Sequence, residues 1–106
     1  MAEVDTGELD AAVEAFAERL RALSESRLRR GAGAAGLEVA RALVRGAHRL
    51  DGPFGASRVM PDAGVWVVGD QVAVAGHDLA RAIGTTSDEE AARRELAEAL
   101  ELLRRA

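Results

Sequence analysis

Residues 65–84 read VWVVGDQVAVAGHDLARAIG, and the reading of this stretch decides the fold. Two apolar runs flank Gly69-Asp70. Gly-Asp between β-branched runs signals a two-residue hairpin turn, because Gly accepts the positive φ that such turns require. A turn there sets Val68 opposite Gln71, Val67 opposite Val72, Trp66 opposite Ala73 and Val65 opposite Val74. Side chains alternate across a strand. One face then carries Val65, Val67, Val72 and Val74, and reads as a core face. The other carries Trp66, Val68, Gln71, Ala73 and Ala75. This second face is also mostly apolar, so it is expected to be covered by something else.

Working outward, Gly76 closes the second strand, and a short helix is expected over 78–83, capped by Asp78 and ended by Gly84. Thr85, Thr86 and Ser87 lead into a last helix, with Ser87-x-x-Glu90 as a capping box. Its apolar stripe is Ala92, Leu96, Ala99, Leu100 and Leu103. Glu89–Arg93, Glu90–Arg94 and Glu101–Arg105 are spaced as helical ion pairs.

Before the hairpin, residues 1–7 read as a flexible N-terminal tail, with Asp5 and Glu8 as a capping pair for the first helix. Leu9, Val13, Phe16, Leu20 and Leu23 recur at spacings of four and three, which is one helical stripe. Gly31 is the expected stop. A second helix is predicted from about 35 to 50, burying Leu37, Ala40, Leu43, Val44, Ala47 and Leu50. Asp51-Gly52-Pro53 ends it. The loop to Gly64 holds Phe54, Val59 and Met60, and Val59-Met60 is a candidate third strand. The predicted fold is therefore α+β: four helices packed around a central β-hairpin, in the order helix, helix, hairpin, short helix, helix. Residues 8–106 form one α+β domain, as the length of 106 residues suits.

Charge is unevenly distributed within a total of −4. Residues 1–26 carry seven acids and two Arg, residues 27–58 two acids and seven Arg, and residues 59–106 nine acids and five Arg. An acidic total argues against a dedicated nucleic-acid binder. The chain lacks Cys, so it has no disulfide framework and no thiolate metal site. No apolar run approaches a membrane span of about 20 residues, and MAEVDTGELD lacks the apolar core of a signal peptide. A soluble cytoplasmic protein is expected.

Several motifs invite chemistry. GAGAAG at 31–36 matches G-x-G-x-x-G, with Asp51 twenty residues beyond Gly31. A dinucleotide loop needs a strand before it, and SESRLRR reads as a helix end. The sequence is therefore read as a flexible connection between helices. Arg41, Arg45 and Arg49 repeat every four residues and, with Arg27, Arg29 and Arg30, make a basic region that suits either an acidic partner or an ordinary solvated face. His48 with Asp51 and His77 with Asp78 would be reasonable metal ligands if the fold joined them. Ser57 lacks a nucleophile elbow. No convincing catalytic site emerges, so whether the chain is itself an enzyme stays open.

Trp66 is the only Trp, and Trp is enriched among interface hot spots. Trp66, Val68 and Ala73 on the second hairpin face, together with Phe54 and Met60 of the loop, are the expected partner-binding residues. A hairpin edge also offers backbone for another chain to extend.

The length, the helix–hairpin–helix order and the segment PDAGVWVVGDQVAVAGHDLARAIG resemble the small subunit of actinobacterial cyclodipeptide oxidase, a flavoenzyme with a larger FMN-binding chain. The resemblance implies a non-catalytic partner needed for assembly, with FMN held by the larger chain and no cofactor bound by this one alone. It transfers no functional residues. The expected function is thus a small subunit or adaptor for a larger catalytic protein. The alternatives are a regulatory homodimer paired through the 9–23 seam or the hairpin edge, a nucleic-acid-associated protein using the Arg cluster, and a small metal protein using His48 and His77.

Overall fold

A computed structural model describes residues 4–52 and 60–106, and among these the chain is all-α. Four long helices make the fold: α1 (Gly7–Ala22), α2 (Gly33–Asp51), α3 (Val68–Thr85) and α4 (Glu89–Arg105). Helix α3 packs along both α1 and α2, and α4 lies against all three less extensively.

The central β-hairpin is corrected to helix. Val65–Val67 form a single 3-10 turn, and α3 runs unbroken from Val68 through the positions assigned to a turn, a second strand and a short helix. The stripe that decides this is Val68, Val72, Ala75, Leu79, Ala82 and Ile83, all buried. It keeps helical spacing for sixteen residues, whereas the alternation that suggested strands ends at Ala75. β-Branched residues cost a few tenths of a kcal/mol each in a helix. Burying one Val contributes roughly 1.5–3 kcal/mol, so packing outweighs propensity. An isolated hairpin would also have been marginal. Gly69 is not a turn residue: positive φ occurs only at Gly31, Gly52 and Gly64 among the described residues.

Close packing explains two of the glycines of α3, Gly69 and Gly76. A Cβ on Gly76 would collide with the methyls of Val13, so the Val13 side chain of α1 packs directly onto the α3 backbone there. Gly36 does the same on α2, where a Cβ would lie 2.7 Å from Val68 Cγ1 and 2.9 Å from Leu20 Cδ1. GAGAAG is accordingly not the flexible connection expected. Gly31, at φ 146°, breaks the chain, and α2 has already begun at Gly33.

The α1 stripe is as expected, with Leu9, Val13, Phe16 and Leu20 buried. These residues face the rest of the chain, so the 9–23 seam is spent inside the fold and cannot pair two copies. Helix α1 ends at Ala22, with Leu23 extended as its C-cap. Ser24 then caps a short turn, Glu25–Arg27, its Oγ accepting from Arg27 N at 3.2 Å. Helix α2 matches its predicted span closely, and Gly52 at φ 64° ends it. At α4 the capping residue is Asp88, not Ser87: Asp88 Oδ1 accepts from Ala91 N at 3.0 Å. Gly84 lies inside α3, which continues to Thr85. Of the candidate third strand, Val59 is outside the described residues and Met60 is neither helix nor strand. No described helix is long and apolar enough to cross a membrane.

Candidate functional site

Of the five residues expected on one partner-binding face, the four that are described are dispersed. Trp66, in the 3-10 turn ahead of α3, is 64% exposed. Val68, two residues on, is buried against α2. Ala73 and Met60 are half-buried and pack on the core. Phe54 lies outside the described residues, as does Ser57. The grouping failed because the hairpin period put Trp66 and Val68 on one side. In the helical geometry, positions two apart point to different sides.

Trp66 instead has a companion that the strand reading assigned to the core face. Val74 on α3 is 63% exposed. Asp70, Val74, His77 and Arg81, at spacings of four, three and four, are all exposed and form the outward stripe of α3, with Trp66 exposed in the turn just ahead of it. The segment leading to Trp66 is tied down from both neighbouring helices. Arg41 Nε donates to the Met60 carbonyl at 2.9 Å, and Gln71 Nε2 to the Pro61 carbonyl at 2.8 Å.

Ion pairs flank the stripe. Arg21 of α1 donates to Asp70 Oδ1 through Nη2 at 2.7 Å and Nε at 3.1 Å. His77 Nε2 lies 3.3 Å from Glu14 Oε1. Arg81 Nη2 sits 2.9 Å from both Asp51 Oδ2 and Asp78 Oδ1. The hydrogen bonds to Asp70 and to Asp51 hold the Arg21 and Arg81 guanidiniums above their usual range. These pairs are solvated, so they orient the face more than they stabilise the fold.

The remaining sequence candidates separate. Arg29 pairs with Glu25, Arg30 donates to Ser26 Oγ, Arg41 pairs with Glu38, and Arg49 with Glu95. Much of the basic region is thus neutralised locally. His48 is half-buried on α2, whereas His77 sits on the outward stripe of α3, and no group of three His, Asp or Glu among the described residues is placed to hold a metal.

One residue escaped the sequence reading. Glu95 on α4 is buried, and Arg49 of α2 grips both its oxygens. The contact needs Gly46, whose Cβ would stand 3.2 Å from Glu95 Oε1. A signal was present: Glu95 lies three residues after Ala92 and four before Ala99, inside an apolar stripe. This pair walls an open groove of about 460 Å³ between α2 and α4, with Leu43, Leu79 and Leu102. Each oxygen of its buried carboxylate accepts one bond from Arg49.

The chain matches no known protein family, no curated protein and no solved structure. The chemistry of the molecule is therefore read from its own surface. Trp66 and the outward stripe of α3 together put exposed aromatic and aliphatic area next to the Arg21–Asp70 pair and the Arg81 cluster.

Proposed function

We propose that this chain is a non-catalytic small subunit, or adaptor, that works in the cytoplasm by binding a larger catalytic protein. The observation that carries the reading is the exposure of Trp66, just ahead of α3, and of Val74 on the outward face of that helix. Burying exposed apolar surface contributes about 25 cal/mol per Å², and Trp offers more of it than any other side chain. The fixed ion pairs around it give such a contact orientation and register. In the resemblance to the cyclodipeptide oxidase small subunit, FMN and the chemistry belong to the larger chain.

The test is reconstitution. The chain is purified from its native host with a tag, the larger protein that accompanies it is identified, and the pair is reassembled from separate preparations. Trp66→Ala and Val74→Asp are expected to weaken that assembly at least tenfold, about 1.4 kcal/mol or more, while the melting temperature of the chain alone stays unchanged. Full assembly by both variants would refute the reading.

A further inference from the structure

We propose that Asp51-Gly52 is a self-modification site, where the main chain closes to a succinimide and reopens as isoaspartate, and that Arg81 restrains this step in the folded chain. The inference is independent of what the outward face of α3 binds.

Asp51 is the only Asp in the chain that is followed by Gly. The residue after an Asp governs whether its side chain can cyclise, because a Cβ there crowds the approach and Gly has none. In the step the Gly52 nitrogen attacks Asp51 Cγ. A C–N bond forms, a C–O bond breaks, and the carboxyl OH leaves with the amide proton as water. Water then opens the ring at either carbonyl. Opening at one restores Asp51. Opening at the other runs the chain through the former side chain, one methylene longer, with the main-chain carboxyl now pendant. Water is the only reagent. The added methylene falls between α2 and the segment that leads to Trp66.

The fold opposes the step at both reacting groups. Gly52 N–H donates to the His48 carbonyl and closes the last turn of α2. The Asp51 side chain is only 23% exposed, and its Oδ2 accepts from Arg81 Nη2 at 2.9 Å. Arg81 is in turn aimed by Asp78, one turn earlier on α3, whose Oδ1 accepts from Arg81 Nε at 2.9 Å. A succinimide has neither an amide proton for His48 nor a charged carboxylate for Arg81, so closing the ring gives up both bonds. Helix ends open more readily than helix centres. The bond from α3 is therefore the restraint that one substitution can remove.

The chain has no Asn, so isoaspartate in it arises from Asp alone. Trypsin cuts after Arg49 and Arg58 and releases the site in peptide 50–58, whose aspartyl and isoaspartyl forms separate by chromatography. The purified chain is incubated at neutral pH, folded and in guanidinium chloride. Isoaspartate at residue 51 is expected to form about tenfold more slowly in the folded chain, since the ring closes only from an opened helix end. Arg81→Gln is expected to raise the folded rate about threefold, the scale of a half-solvated ion pair. Arg81→Lys, which keeps a cation, should stay near the wild-type rate. Arg21→Gln removes a comparable pair, to Asp70 on the same helix, and should leave the rate unchanged. Melting temperatures above the incubation temperature ensure that folded variants are compared. No isoaspartate at residue 51 in the denatured chain overturns the site. Equal rates in folded and denatured chain, an Arg81→Gln rate equal to wild type, or equal acceleration by Arg21→Gln overturns the restraint.

Discussion

Arg49 holds Glu95 through two nitrogens, Nε at 2.7 Å from Oε2 and Nη2 at 2.8 Å from Oε1, with the carboxylate side chain only 7% exposed. The guanidinium is 53% exposed, so one partner is buried and the other half-solvated. Losing one member of a buried pair costs about 3–5 kcal/mol, and solvent access to Arg49 reduces that. Arg49→Ala is expected to destabilise the fold by about 1–3 kcal/mol in urea unfolding. Glu95→Leu should cost far less, because it removes the buried charge and leaves Arg49, whose side chain is half-exposed, to be solvated. Equal losses for the two variants would show that the pair matters for something other than charge burial.

Gly76 and Gly84 lie on the same helix and should respond oppositely to Ala. At Gly84 a Cβ meets nothing within 4 Å, so Gly84→Ala should stabilise by about 0.5–1 kcal/mol through helix propensity alone. At Gly76 the Cβ runs into Val13, and the two helices must move apart. Overpacking costs about 1–3 kcal/mol, which exceeds the propensity gain. Thermal melts of the two variants should shift in opposite directions.

Helix α4 gives a sharper test of local chemistry. Asp88 Oδ1 accepts from Ala91 N, so Asp88→Ala should cost about 1 kcal/mol of stability. Ser87 is exposed and makes no described capping bond, so Ser87→Ala should change the denaturation midpoint little. The reverse order of effects would restore Ser87 as the cap.

The response to alkali follows from composition and geometry together. The chain has no Lys, Tyr or Cys, so between the amino terminus and Arg no side chain titrates. Arg21, Arg49 and Arg81 are each raised, chiefly by hydrogen bonds to Asp70, Glu95 and Asp51. A cation whose pKa rises on folding contributes stability that is fully present below its unfolded value and is lost as pH climbs through the folded one. For guanidinium both values lie at the alkaline extreme. The urea midpoint should therefore stay level from about pH 9 to about pH 11. A decline inside that window would reveal a titrating group that this geometry does not contain.

Legibility of the fold varied with how each segment buries its surface. Helices α1, α2 and α4 could be read directly, because Leu9 to Leu20, Leu37 to Ala47 and Ala92 to Leu103 bury one continuous stripe each. Helix α3 was misread because Val65 to Val74 satisfies two periods at once. Its β-branched residues favour a strand locally, and only contact with α1 and α2 separates the alternatives. The site shared that fate. Trp66 could be singled out from the sequence, but which residues share its surroundings depends on the period. The strand reading paired it with Val68, which is buried, and put Val74, which is exposed, on the opposite face.

The sequence alone determined the apolar stripes of three helices, the acidic total and the absence of thiol chemistry, since these are properties of composition and local spacing. The tertiary structure alone decided that residues 68–85 are helical, that Gly36 and Gly76 are contact points and not hinges, and that Glu95 is buried beneath Arg49. The physical reason is the same in each case. Propensity differences between strand and helix amount to tenths of a kcal/mol per residue, whereas burial of Val68, Val72 and Leu79 is worth several together. Where that surface is buried depends on what α1 and α2 present to it, and that is a property of the assembled fold.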